Sequence, residues 1–424
     1  MSGILVGFAG MTHLGVNSAA AALSRGFRVM GYDADRNITE ALRRGDPPVV
    51  EPGLPETLRE HASKAHYTAE IADLSRCDLV YIASDVPTDD SGSSELAGIR
   101  QLVQSVSAVL APRATLVVLC QVPPGFTRGL MLPKEKIFYQ VETLIFGQAL
   151  QRAREPERII LGCAEPSVAV PPALEEFLSA FSCPILKMRY ESAELAKIAI
   201  NCCLVSSVSV ANTLAELCEH VGAAWSEIVP ALRLDKRIGQ HAYLAPGLGI
   251  AGGNLERDLA TVCGLADAYG TDAEVVRAWI SNSRHRSDWV LHALHRAVLS
   301  SVEDPVIAVW GLAYKRDTHS TKNSPSLALL AHLRPFSVRV FDPVVPASAA
   351  SHPRCHGAIS ELDACKGADA LAIMTPWAQF AKVDPAQIAA GLRGKLVLDP
   401  YAVLTASACH SAGIEYRTLG AKFP

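Results

Sequence analysis

The sequence predicts an α/β protein: two Rossmann-like, doubly wound domains joined by a long central helix and a small helical dimerisation domain. Three observations carry that reading. The chain opens as a βαβ unit, with a glycine-bearing turn and a second strand that ends in Asp33. Ser192 to Leu217 reads as one long helix, and from Asp304 onward apolar strands and helices alternate a second time. At 424 residues the chain exceeds what one ordinary core organises, so two or three domains are expected.

Composition narrows the class. Hydrophobic residues make up 49% and charged residues 19%, which describes a compact chain with large buried elements. A net charge of -4 offers no basic face to nucleic acid. No apolar run reads as approaching the roughly 18 residues of a membrane helix, and the N-terminus enters a strand directly; no membrane contact and a cytoplasmic location are expected. The eleven cysteines are scattered, odd in number and without CxxC spacing, so they read as reduced thiols, most of them core filler. No His/Cys cluster suggests a metal.

Gly3 to Phe8 is the first strand, Asn17 to Ser24 a helical stretch of small residues, and Arg28 to Asp33 the second strand. Gly7, Gly10 and Gly15 would let a pyrophosphate approach the backbone at a helix N-terminus, and Asp33 would accept hydrogen bonds from ribose hydroxyls. A carboxylate there favours NAD over NADP, whose extra phosphate it would repel. Gly7 to Gly15 spans eight positions where GxGxxG spans five, so the loop reads as lengthened. The alternative is a tight turn in a Rossmann-like fold that holds no cofactor.

Two further strands, Asp78 to Ala83 and Ala114 to Cys120, run into SDVPTDD and QVPPGFTR. Ligands sit outside the carboxyl ends of parallel strands, so these loops should face the nicotinamide, unless their prolines are simple turn punctuation. Glu142 is an isolated acid in an apolar setting, open to a chemical role or to plain solvation; PERIILG after it looks like a strand entry.

The long helix is small and apolar almost without interruption, which predicts a buried helix that links domains and makes a dimer contact. Lys197 and Asn201, four apart, share one face of it. A buried ammonium needs a partner: a substrate oxygen, or a structural pairing with Glu194 or Asp258. Ala245 to Asp258 (APGLGIAGGNLERD) packs four glycines ahead of Asn254, Glu256, Arg257 and Asp258, and reads either as a ligand-approaching loop or as a surface loop before a charged helix start. In the last third, strands at Asp304 to Leu312, Ser337 to Asp342, Ala370 to Met374 and Lys395 to Asp399, with a helix at Ser326 to Leu333, make the second doubly wound half. Lys315, Arg316 and Lys322 could hold a phosphate, or lie in a solvated loop.

VGFAG with Asp33, the VPTDD and VPPG loops, PERIILG, AELAKIAIN, DKRIG with PGLGIAGG, GLAYKRDTHSTKNSPS and TPWAQF occur in the order and spacing of one family. Over nearly the whole chain the sequence resembles the UDP-glucose/GDP-mannose dehydrogenases. The resemblance implies an NAD-binding domain over 1–188, a central helical and dimerisation domain over 189–298, and a C-terminal nucleotide-sugar-binding domain over 299–424. It also implies NAD as cofactor, a nucleotide sugar (a UDP-sugar by default) as substrate, and a homodimer through the central helix.

Family members commonly oxidise a primary alcohol twice, through an aldehyde, a cysteine thioester and its hydrolysis. Here the family's GGSCFPKD aligns with a segment ending in Asp258, which places Asn254 where the cysteine stands and Arg257 where the lysine stands. A threonine before the VP loop aligns with Gln121, the two acids of EFLxE align with Glu142 and Phe146, and DPYA replaces a DGRN-like motif. Lys197, Asn201, Glu142 and Asp258 match active-site positions. The resemblance puts Gly7, Gly10, Met11, Gly15, Asp33, Pro87, Thr88, Gln121 and Arg316 on the cofactor side. It puts Arg237, Tyr243, Gly249, Gly252 and Lys315 on the substrate side, with Arg237 reaching a neighbouring subunit or else standing as a surface arginine. The losses fall on the thioester half of the cycle. The expected activity is therefore a two-electron alcohol-to-carbonyl oxidation or an oxidation-linked epimerisation, with Lys197 as base or oxyanion partner, Asn201 and Asp258 orienting the oxygen or a water, and Asn254 replacing the nucleophile as a polar contact. The rivals are a cysteine-independent four-electron oxidation, with Asp258 activating water, and a non-catalytic nucleotide-sugar binder.

Overall fold

The computed structural model describes residues 3–88, 94–251 and 253–422. The chain divides into two compact units, Met1–Ile200 and Asn201–Pro424.

The first unit is built on an eight-stranded sheet. Its strands are β1 (Leu5–Ala9), β2 (Arg28–Tyr32), β3 (Ala65–Thr68), β4 (Leu79–Ile82), β5 (Thr115–Val118), β6 (Ile137–Gln140), β7 (Ile159–Cys163) and β8 (Ile185–Arg189). The order is β3-β2-β1-β4-β5-β6-β7-β8, parallel except where β6 meets β7. Strands β4, β5 and β7 are buried along their whole length, which is why they read as continuous apolar runs rather than alternating ones. Order reverses between β1 and β4, and in an open sheet that reversal opens a ligand crevice at the carboxyl ends of the strands.

The turn after β1 differs from the lengthened loop expected. Gly7 lies inside β1, where a Cβ would sit 3.0–3.1 Å from Cys77, Leu74 and Val80; it is a packing residue of the sheet and not part of the loop. The turn begins at Gly10, which has φ +95° and would place a Cβ 2.7 Å from that of Ser84. Gly15, in the helix His13–Ser24, would drive a Cβ to 1.8 Å from the Gly10 carbonyl oxygen. Gly10 to Gly15 is thus the GxGxxG spacing with Thr12 in the middle glycine's place.

The second unit carries a six-stranded sheet, all parallel: β9 (Val306–Trp310), β10 (Ser337–Phe341), β11 (Cys355–Gly357), β12 (Ala370–Ile373), β13 (Leu396–Leu398) and β14 (Glu415–Arg417), in the order β11-β10-β9-β12-β13-β14. Its first turn repeats the device of the first unit. Gly311 (φ +92°) donates to the Phe341 carbonyl at 2.8 Å as Gly10 does to Tyr32 at 2.9 Å. Leu312 N–H reaches Asp342 Oδ2 at 2.6 Å as Met11 N–H reaches Asp33 Oδ2 at 2.9 Å.

The helix expected over Ser192 to Leu217 runs from Tyr190 to Val221. The helices after it are tied to the chain's end: Trp225 N–H donates to the Gly420 carbonyl at 2.8 Å, and Glu219 accepts from Gly420 N–H, Arg286 and Trp289 at 3.0 Å each. Those bonds group the helices after the long helix with the C-terminal sheet in the second compact unit. Two expectations change. Among the described residues this one helix is long and apolar enough to cross a membrane, where the sequence reading found no such run. Nor is it buried all round. Asn212 and Glu219 face inward with partners, while Val210, Leu214, Leu217 and Val221 form an exposed stripe at helical spacing.

Candidate active site

In the first unit, Lys197 and Glu142 form an ion pair, Nζ to Oε1 at 3.1 Å, with side chains 10% and 16% exposed. An isolated buried charge is costly, so each group accounts for the other; the acid that looked solitary in sequence has a partner. Glu142 also accepts Leu144 N–H at 2.9 Å, which fixes its carboxylate on the loop after β6. Glu194, one of the two partners weighed for Lys197, is engaged with the VPPG loop instead.

Glu194, fully buried one turn earlier, accepts Gly125 N–H at 2.6 Å and Thr127 N–H at 2.8 Å and so anchors the VPPG loop. Burial pushes its carboxyl above the ordinary range, against the pull of those amides. Glu194→Ala is expected to strand both amides at a cost of about 2–5 kcal/mol in unfolding free energy, read by denaturant titration.

Asp33 accepts Met11 N–H at 2.9 Å and Asp35 N–H at 3.0 Å, so it braces the glycine turn from the end of β2. Thr12 caps the helix His13–Ser24 without a side-chain cap bond, and the helix has no acid in its first turn. The turn leaves room only for backbone at Gly10 and Gly15, and Asp33 stands where an adenosine ribose is held in this fold. These residues fit a dinucleotide. Gln121 is buried at the end of β5, Pro87 is exposed, and Thr88 pairs with Ser94 in a short bridge.

Sequence reasoning missed a buried cluster beside this turn. His13 Nε2 lies 2.8 Å from Glu51 Oε1, its ring stacks on Phe146 at 3.9 Å, and Glu51 accepts Gly147 N–H at 2.8 Å and Ala149 N–H at 3.3 Å. Phe146, which read only as a lost acid, therefore packs the Glu142 loop onto the dinucleotide helix. Its signal in sequence was faint, because Glu51 and His13 are 38 residues apart.

In the second unit, Asn201 Nδ2 donates to Asp258 Oδ2, and both side chains are buried. Arg257 Nε lies 3.7 Å from Asp258 Oδ1. Asn254 is the first residue of the helix Asn254–Tyr269 and is exposed. Gly249 (φ +77°) lies against Ser283, whose Oγ accepts Ile250 N–H at 2.7 Å. Gly252 lies outside the described residues. Arg237 is exposed and gripped by Asp235 at 2.6 Å, Tyr243 is exposed, Arg316 is exposed beside Asp317 at 3.6 Å, and Lys315 stands 5.7 Å over the Tyr314 ring. The structure thus unites Lys197 with Glu142 and Asn201 with Asp258, and leaves Arg237 and Arg316 on outer loops.

Three models of one family cover the chain in sequence: the NAD binding domain over residues 4–180, the central domain over 191–284 and the UDP binding domain over 308–406. The chain belongs to the UDP-glucose/GDP-mannose dehydrogenase family. The UDP-glucose 6-dehydrogenase of Pseudomonas aeruginosa is 28% identical over 442 residues, covering 97% of this chain and 96% of that protein. The UDP-glucose 6-dehydrogenase AglM of Haloferax volcanii is 28% identical, covering 97% and 98%. A UDP-glucose dehydrogenase structure from Pyrobaculum islandicum superposes with a TM-score of 0.86 at 26% identity, covering 98% of this chain and 97% of that one.

As a member of this dehydrogenase family the chain is an NAD-dependent oxidoreductase of nucleotide sugars. Its thiols are informative in that light. Cys202, next to Asn201, is pushed up to about 11 by burial and by the charge of Asp258. Cys120, at the end of β5, is pushed higher still by burial and the charge of Asp85. Both stay protonated at neutral pH, and the thiolate is the nucleophilic form.

Proposed function

We propose that this enzyme oxidises a hydroxyl of a nucleotide sugar, a UDP-sugar by default, to a carbonyl by one two-electron step, or oxidises and re-reduces it as an epimerase does. The observation that carries the reading is the chemistry of residue 254. An exposed asparagine begins the helix where the family's cysteine aligns, and an amide forms no thioester. Neither Cys202 nor Cys120 can take the missing role while held protonated.

Lys197, held as an ammonium by Glu142, steadies the developing alkoxide; it accepts the alcohol proton only once it has passed one of its own to the Glu142 carboxylate. Asn201, one helical turn on, orients the same oxygen, and Asp258 fixes the Asn201 amide. NAD, when bound, supplies the hydride acceptor; Gly10, Met11, Gly15 and Asp33 hold it, with Pro87, Thr88 and Gln121 on the nicotinamide side. On the substrate side we place Tyr243, Gly249, Gly252 and Lys315. A four-electron route through a hydrated aldehyde would ask Asp258 to activate water, yet both of its oxygens already face partners, Asn201 and Arg257. The test is the number of NADH formed per sugar nucleotide consumed, with product mass.

We also propose a homodimer built on the long helix. Val210, Leu214, Leu217 and Val221 are 40–66% exposed along one stripe, an apolar surface that a second copy would cover. Leu214→Glu is expected to shift the protein from dimer to monomer in light scattering; a wild-type monomer at micromolar concentration would remove the proposal.

A further inference from the structure

One buried carboxylate ties the dinucleotide helix to the loop that carries Glu142. Glu51 is 3% exposed and stands just ahead of the helix Leu54–Glu60. Its Oε1 faces His13 Nε2 and Gly147 N–H, each at 2.8 Å, and its Oε2 accepts Ala149 N–H at 3.3 Å. A carboxylate that takes two backbone amides is an acceptor, so the His13 nitrogen facing it is the donor. The Glu142 loop is therefore fixed on both sides. Val141 N–H is bound to the Ile160 carbonyl at 3.1 Å in the sheet, and Gly147 is bound to Glu51. The helix Ala149–Arg154 beyond it is clamped again, by Arg154 on Ser24 Oγ at 2.9 Å and Thr57 Oγ1 at 2.6 Å.

We propose that His13 and Glu51 are positioning residues for the oxidation: they set the Glu142 loop against the dinucleotide helix, and Glu142 in turn sets Lys197. The inference rests on Lys197 as the group that acts on the substrate alcohol. A buried carboxylate is a costly way to join two elements, and apolar packing would join them as firmly. What its directional bonds add is a fixed distance. Glu142 Oε1 stands 3.1 Å from Lys197 Nζ, and a loop displaced by about 1 Å leaves hydrogen-bond reach. Misplacement on that scale costs up to about a hundredfold in rate. Phe146 does not set the distance alone, because its stack on His13 leaves sliding in the ring plane open, and the bond to Glu51 closes it.

The experiment compares His13→Gln, His13→Phe and Glu51→Gln with the wild type, all as the full chain. His13→Gln keeps an N–H for Glu51 and loses the ring; His13→Phe keeps a ring on Phe146 and loses the N–H. The readouts are kcat for NADH formation from UDP-glucose, and calorimetric affinity for ADP-ribose, the cofactor without its nicotinamide. A further readout is acetylation of Lys197 by acetic anhydride relative to exposed Lys236, followed by mass spectrometry. In His13→Phe and Glu51→Gln, kcat should fall about ten- to a hundredfold. Lys197 should be acetylated roughly tenfold faster there, since Glu142 no longer holds it. ADP-ribose affinity should stay within about threefold, because Gly10, Gly15 and Asp33 are left in place. His13→Gln should match the wild type throughout. Acetylation and ADP-ribose binding decide alone if the wild type forms no NADH from UDP-glucose, and the His13 variants decide if Glu51→Gln does not fold. Wild-type behaviour of His13→Phe with loss in His13→Gln would overturn the proposal and leave ring packing. Unchanged acetylation in His13→Phe would overturn it as well, and so would a loss of ADP-ribose affinity as large as that of kcat. Faster acetylation with kcat unchanged would overturn it alone where Lys197→Ala is inactive, and together with the role of Lys197 where that variant keeps full turnover.

Discussion

Lys197→Ala is expected to lower NADH formation by about 10²–10⁴-fold, the range that a positioned general base contributes. The loss should fall on kcat, because the ammonium acts on charge that develops as the alcohol proton leaves, and ground-state binding is carried by other groups. The variant also strands Glu142, 16% exposed, without its cation. Breaking a buried pair by removing one partner costs about 3–5 kcal/mol, so lost activity could reflect lost folding. The double variant Lys197→Ala/Glu142→Gln separates the two effects. It removes the stranded charge, should recover most of the thermal stability, and should remain inactive. Full turnover by Lys197→Ala would remove Lys197 from the chemistry and leave the pair a structural one.

The pairing of Lys197 also shows what was legible in the sequence. Helical periodicity placed Lys197 and Asn201 on one face, and the cost of a buried ammonium required partners for them. It offered Glu194 and Asp258 and did not reach Glu142, because the partner depends on which loops the sheet brings against the helix. Glu142 arrives from the end of β6, a strand that was not read at all, and β6 runs against β7 in a sheet otherwise parallel. The glycine turn failed for the opposite reason. Gly7 is visible in the sequence as a glycine, but only the packing of Cys77, Leu74 and Val80 against it shows that it belongs to the sheet, and that Gly10 opens the turn. The apolar stripe of the long helix could not be told from a core face, since an open stripe awaiting a partner and a buried one have the same composition.

The second large effect lies in stoichiometry. One NADH per sugar nucleotide, with a product two hydrogens lighter, is expected for the wild type; Asn254→Ala should leave that first oxidation within about tenfold, because replacing an exposed amide at the start of a helix removes no group that the alcohol oxidation uses as base or oxyanion partner. Asn254→Cys tests the same point from the other side. A thiol at the start of a helix has its thiolate stabilised by the amide end, as Cys202 and Cys120 in their buried places do not, so this variant has what it needs to trap an aldehyde. A rise from one toward two equivalents of NADH in Asn254→Cys, with a carboxylate in the product, would locate the missing half of the cycle in that one side chain. Two equivalents from the wild type would instead mean that water reaches the aldehyde without a covalent intermediate, and Asp258 would become the group to test. No net NADH from the wild type, with unchanged product mass and an altered sugar configuration, would select the epimerase form, in which the hydride returns to the same sugar and Lys197 serves both directions of proton transfer.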